Sequence, residues 1–168
     1  EIEAALQEHR IDLGLVEGIC RLPNLRYTTF LQDELVAVVH TGSKLSLPDE
    51  ITPEDLSRIP LVLRERGSGT LDVFERALSE HNMKLSSLNV LLYLGSTESI
   101  KLFLEHTDCI GIVSIRSISR ELLSGTFRVI EIKGMPMLRE FCFAQPQGQE
   151  SGLSQVLMQF AMHHNKKL

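Results

Sequence analysis

Apolar residues in this chain switch between short continuous runs and helical spacing, and most switches fall at turns rich in glycine and hydroxyl residues. The runs at 11–16, 35–39, 60–63, 90–94, 109–113, 127–132 and 139–144 predict strands. Helical spacing predicts helices at 2–9, after Thr70 (Phe74, Ala77, Leu78), after Thr97 (Ile100, Phe103, Leu104), at 117–123 and at 153–163. In the last of these, Leu157, Phe160 and Ala161 share one side. Thr52-Pro53-Glu54-Asp55 predicts a further helix start, a cap followed by proline at the first helical position. Helices alternating with strands predict an α/β architecture.

Two strand-turn-helix joints carry the candidate chemistry. In the first, Pro60-Leu61-Val62-Leu63 runs through Arg64-Glu65-Arg66-Gly67-Ser68-Gly69-Thr70 into a helix; in the second, Val90-Leu91-Leu92-Tyr93-Leu94 runs through Gly95-Ser96-Thr97-Glu98. The first N–H groups of a helix lack intrahelical partners and lie at the positive end of its dipole. Glycine lets a ligand approach the backbone, and Ser or Thr adds hydroxyl donors, so each joint is suited to an anion. The plainer expectation is that Thr70 and Ser96 simply cap their helices, and one such joint alone would signify no more than that. Two similar joints in one chain favour a binding cleft.

Length and composition leave the class open but exclude several functions. The 168 residues suffice for one domain or two small lobes, with 43% hydrophobic and 23% charged residues. A net charge of −5 without a Lys/Arg cluster makes the chain a poor nucleic-acid binder by its own surface. Cys20, Cys109 and Cys142 are far apart, without CxxC spacing, and read as buried thiols in a reducing compartment. With no signal-peptide pattern and no membrane-length apolar run, a cytoplasmic location is expected. His163 and His164 are adjacent on a helix and face different directions, so no metal site is expected there. Ser68 lacks a nucleophile-elbow sequence and an evident His or Asp partner, no phosphate-loop or dinucleotide fingerprint occurs, and no cofactor is expected. His40 and His81 lie near turns, where exposed or packing roles suffice.

Four stretches in order resemble one known family: Glu3-Ala4-Ala5-Leu6 through Ile11-Asp12-Leu13-Gly14-Leu15-Val16-Glu17-Gly18; Leu31 to Val39; Leu61-Val62-Leu63-Arg64-Glu65-Arg66-Gly67-Ser68-Gly69-Thr70; and Gly95-Ser96-Thr97-Glu98-Ser99-Ile100-Lys101. Together they resemble the effector-binding domain of LysR-type transcriptional regulators over nearly the whole chain. The resemblance implies a two-lobed, type II periplasmic-binding-protein-like fold with two hinge-crossing strands, near residues 39–43 and 139–143, and a small effector between the lobes. Lobe I would comprise 1–42 and 140–168, and lobe II 43–139. It further implies that the winged helix-turn-helix and the opening β-α-β segment of lobe I lie outside this chain, leaving apolar sheet edges that need a partner. DNA contact would then come only through the missing N-terminal domain, and the regulatory domains would pair as a homodimer.

On this basis the expected effector-binding residues are Ser68, Gly69, Thr70, Ser96 and Thr97, with Arg66, Glu17, Gly18 and Ser114 beside them. Arg64 is read as compensating Glu65. Where the family often has glycine before the strand ending in Ser114, this chain has Cys109 preceded by Asp108. The function expected is sensing of a small anionic metabolite and relay of lobe closure to DNA binding, without catalysis. A transporter's solute-binding protein is the alternative on the same fold, and an enzyme would need a nucleophile, an acid/base pair or a metal cluster, none of which stands out.

Overall fold

In a computed structural model, described for residues 2–17, 22–148 and 152–165, the seven runs become seven strands, a two-residue strand that no run predicts adds an eighth, and the helical spacings become five α-helices. The helices are α1 (Ile2–Gln7), α2 (Gly69–Glu80), α3 (Thr97–His106), α4 (Ser119–Leu123) and α5 (Gly152–Asn165). The strands are β1 (Gly14–Glu17), β2 (Leu25–His40), β3 (Glu50–Ile51), β4 (Leu61–Arg64), β5 (Val90–Leu94), β6 (Ile110–Ser114), β7 (Phe127–Ile132) and β8 (Met137–Pro146). The chain separates into two compact units, one made of residues 1–33 and 139–168, the other of Glu34–Leu138.

The larger unit is a doubly wound sheet. β4 is parallel to β5 on one side and to β6 on the other, β6 is antiparallel to β2, and β2 is antiparallel to β7, which pairs with β3. Both faces are covered, which is why Leu35 to Val39 is an unbroken apolar run. Leu35, Ala37, Val39, Leu61, Leu63 and Ile112 point to the face packed by Phe74 and Leu78 of α2. Val36, Val38, Val62 and Val113 point to the other, packed by Ile100 and Leu104 of α3. Gly111 of β6 permits that second packing, because a Cβ there would stand 3.0 Å from Ile100 and 3.1 Å from Leu104.

In the smaller unit β1 pairs antiparallel with β8, Gly14 opposite Ala144 and Glu17 opposite Phe141. Its buried apolar cluster is small, with Leu6, Leu25 and Ala144 at the centre and Val16, Leu22 and Tyr27 around them. The Tyr27 hydroxyl donates to Glu3 at 2.6 Å and accepts from the Leu22 N–H. Burial followed by that carboxylate pushes the phenol above its usual range. Arg139 Nε donates to Asp33 Oδ2 at 2.8 Å and stacks its guanidinium 4.8 Å from the Phe141 ring centre.

Four elements differ from the sequence expectation. β2 begins at Leu25 rather than near Leu35, because the half-polar stretch through Tyr27, Thr28, Thr29 and Phe30 is made of strand-favouring residues. The start at Thr52 yields only a 3-10 turn, Pro53–Ser57, although Asp55 accepts from both Thr52 N and Thr52 Oγ1; Pro60 bars a longer helix by restricting Ile59. The helix expected at 117–123 is divided into a 3-10 turn, Ile115–Ile118, and α4. The closing helix forms, but Leu157 and Phe160 are 54% and 60% exposed, so their side is not an inward face of the smaller unit.

Candidate functional site

The strand pairing of the larger unit brings the predicted joints together. Because β5, β4 and β6 are neighbouring parallel strands, their C-terminal ends lie at one edge of the sheet. Ser68 to Thr70 follow β4, Ser96 and Thr97 follow β5, and Ser114 ends β6. The chain then leaves β4 towards one face, through α2, and β5 towards the other, through α3. Neighbouring connections that part to opposite faces open a crevice at the strand ends, where open α/β sheets bind ligands.

Backbone geometry joins the two loops. Glu65 N–H donates to Leu94 C=O at 3.1 Å, and Arg64 Nη2 reaches Gly95 C=O at 3.4 Å. Arg64 also holds Glu65 bidentately, Nε to Oε2 and Nη2 to Oε1, both at 2.8 Å. This pairing raises the guanidinium's proton affinity and keeps Glu65 below the usual carboxylate range. Arg64 is therefore a strut between loops, in keeping with its reading as Glu65's counter-charge.

At the first joint Gly67 takes φ +86°, a left-handed turn that glycine adopts without steric cost. Ser68, extended at φ −83° and ψ 136°, then caps α2: its Oγ accepts from Leu71 N–H at 3.2 Å. Ser68 and Thr70 are buried, at 9% and 8% exposure. At the second joint Ser96 Oγ accepts from Ser99 N–H at 3.1 Å and shares a 2.8 Å hydrogen bond with Ser99 Oγ. Each cap satisfies the amide three residues on, and Gly69-Thr70 and Thr97-Glu98 supply the first two helical amides. The capping hydroxyls and the first-turn amides are thus different atoms of the same turn.

Ser114 is half-buried and opens the 3-10 turn, with its C=O accepting from Ser117 Oγ at 2.6 Å. Arg66 is exposed on the flank of α2, in a hollow of about 510 Å³ with Asp72, Glu75, Lys84 and Tyr93. Glu17 belongs to the smaller unit, where it is largely buried with Arg139 Nη1 at 3.9 Å. Gly18 lies outside the described residues.

Two ionic clusters escaped the sequence reading. One is Asp33–Arg139, which joins residues far apart in sequence. The other centres on Lys101 of α3, which reaches Glu98, Glu121 and the Ser117 carbonyl. Only the Glu98 contact, three residues away on one helix, left a signal in the sequence. Among the described residues, no group of three His, Cys, Asp or Glu side chains is placed to hold a metal, and no helix is long and apolar enough to cross a membrane.

Comparison with known proteins identifies the family. The model of the LysR substrate binding domain matches residues 1–166, and the chain belongs to that family. A curated relative, the uncharacterized HTH-type transcriptional regulator YeiE of Escherichia coli (strain K12), is 32% identical over 132 residues, covering 79% of this chain and 44% of the relative. The HTH-type transcriptional activator CmpR of Synechocystis is 29% identical over 144 residues, covering 85% of this chain and 46% of CmpR. The chain thus spans a little under half the length of these relatives. Among solved structures, the Synechocystis CcmR regulatory domain in complex with 2-PG superposes with a TM-score of 0.80 at 24% identity, covering 99% of this chain and 79% of that one. The effector-binding domain of QuiR in complex with shikimate gives 0.75 at 20% identity, covering 99% and 77%. The fold is the type II periplasmic-binding-protein-like fold of LysR regulatory domains.

Proposed function

We propose that this chain is the effector-sensing domain of a LysR-type transcriptional regulator and that it binds a small anionic metabolite at the C-terminal ends of β4, β5 and β6. The observation that carries the reading is the meeting of two capped helix starts, Ser68-Gly69-Thr70 and Ser96-Thr97, at one edge of the sheet, with their loops hydrogen-bonded to each other. First-turn amides and hydroxyls there suit a carboxylate, phosphate or sulfate. Ser114 flanks this group from β6. CcmR and QuiR were solved with 2-PG and shikimate respectively, which supports a small-molecule ligand for this fold.

The rest of the reading concerns the whole regulator. Binding is relayed to DNA through a separate DNA-binding domain, the regulatory domains pair as a homodimer, the protein works in the cytoplasm, and the effector is not chemically altered. YeiE and CmpR are described as transcriptional regulators, which favours sensing over solute transport. A thermal-shift screen against small carboxylates, phosphates and sulfates tests the proposal, repeated on Ser68→Asp. A ligand at about 100 times its dissociation constant adds about 2.7 kcal/mol of stability. The reading expects at least one anion to stabilise the wild-type protein and to lose that effect in Ser68→Asp. Stabilisation that persists in the variant would place the site elsewhere.

A further inference from the structure

α3 starts at the Ser96-Thr97 turn, and Lys101 ties its first turn to the 3-10 turn that follows Ser114. Lys101 stands one helical turn into α3, its side chain only 12% exposed. Its Nζ donates to the Ser117 carbonyl at 3.1 Å and to Glu121 Oε1 at 2.7 Å, and lies 2.9 Å from Glu98 Oε1. Ser117 in turn donates its hydroxyl to the Ser114 carbonyl at 2.6 Å. A continuous chain therefore runs from the first turn of α3, at Glu98, through Lys101 to the 3-10 turn that begins after Ser114.

The ammonium is well matched to its three acceptors. Burial alone pushes Lys101 towards the neutral form, but the hydrogen bonds and charges of Glu121 and Glu98 outweigh it, and the side chain holds its proton more firmly than a free lysine. Lys101 in return keeps Glu121 below the usual carboxylate range. Charge-assisted hydrogen bonds of this kind are about twice as strong as neutral ones. The carbonyl of Ser117 matters most, because it fixes a loop backbone rather than another long side chain.

We propose that Lys101 is a positioning residue for effector binding, clamping the Ser114–Ser117 turn against α3 so that Ser114 is held at the end of β6, next to the loop that follows β4. The inference rests on the anion reading of those turns, but the clamp itself has a separate readout. Backbone amide hydrogen exchange, resolved by residue, is compared in the wild-type domain, Lys101→Met and Lys101→Arg. Loss of the charged donors in Lys101→Met is expected to speed exchange at residues 114–118 by about tenfold or more, while amides of β4 and α2 keep their rates. Lys101→Arg, which retains charge and donors, is expected to restore the slow exchange. Unchanged exchange at 114–118 in Lys101→Met, or equal acceleration across the whole domain, would overturn the clamp. In parallel, inorganic phosphate is titrated into the wild-type protein and Lys101→Met while the amides of residues 68–70 and 96–97 are followed; weaker binding in Lys101→Met is expected, and equal affinity in the two would overturn the positioning role. If those amides ignore phosphate while Lys101→Met still frees the turn, the phosphate reading of the site fails and the clamp stands.

Discussion

Replacing Ser68 separates the structural and the ligand-binding duties of its turn. The side chain is buried and its Oγ accepts from Leu71 N–H at 3.2 Å, so Ser68→Ala removes the only side-chain cap of α2. Losing such a cap costs about 1 kcal/mol. In a chain of this length that lowers the melting temperature by about 2–4 °C. Ser68→Asp keeps a cap of equal quality, because a carboxylate accepts the same N–H, and it also favours the positive helix end. Its melting temperature should therefore stay near wild type. An anion bound at the same turn would now face a fixed negative charge. At about 4 Å that repulsion is about 1 kcal/mol in bulk water and about 4 kcal/mol near a protein surface. Affinity should fall by a factor between about five and about a thousand. Thermal melts give the first quantity, and calorimetric titration with an anion found by screening gives the second. Ser68→Ala melting like wild type would refute the cap, and undiminished anion affinity in Ser68→Asp would refute the site.

Three further outcomes are expected. Gly111→Val should destabilise the larger unit by about 1–3 kcal/mol in urea titration, since even a Cβ there meets Ile100 at 3.0 Å and Leu104 at 3.1 Å; a neutral result would mean that α3 shifts freely. Burial, aided by Asp108, pushes the Cys109 thiol up to about 11, so peptide mapping after alkylation at pH 8 should find it unmodified in the native protein and modified in denaturant. Because the folded value lies above that of an unfolded thiol, its contribution to stability is complete below the unfolded value and is lost as pH rises to about 11. On the acid side, Lys101 holds Glu121 below its ordinary value, as the Lys44 N–H and Ser43 hydroxyl do Asp108. Their stabilisation is present above the unfolded carboxylate values and is lost as pH falls through the folded ones. Glu121→Gln should accordingly flatten the acid limb of a stability-against-pH curve, and an unchanged limb would show that the pair contributes nothing.

The larger unit was the more legible part of the chain because its central strands, β4, β6 and the second half of β2, are buried on both faces. Leu35 to Val39 and Cys109 to Val113 are unbroken apolar runs, and glycine with serine marks the starts of α2 and α3. Both candidate turns were visible as local patterns, but their side-by-side placement follows from β4 pairing parallel to β5, which no local pattern states. The sequence predicts only the second half of β2, because Arg26, Thr28, Thr29, Gln32 and Asp33 interrupt the apolar signal of the first. Thr52 and Asp55 gave a true capping signal, yet Pro60 limited the turn it opened. The Asp33–Arg139 pair and Lys101's reach to Glu121 and Ser117 depend on tertiary proximity, so only the short Glu98–Lys101 spacing could have hinted at the second.

The central claim is that the ends of β4 and β5 form one anion site. Amide chemical shifts of the labelled domain, followed during titration with inorganic phosphate and a panel of small carboxylates and sulfates, test it most directly. The account predicts that at least one anion produces saturable shifts centred on residues 68–70 and 96–97, with one dissociation constant describing both loops. Shifts centred elsewhere, or loops that respond with separate constants, would contradict it.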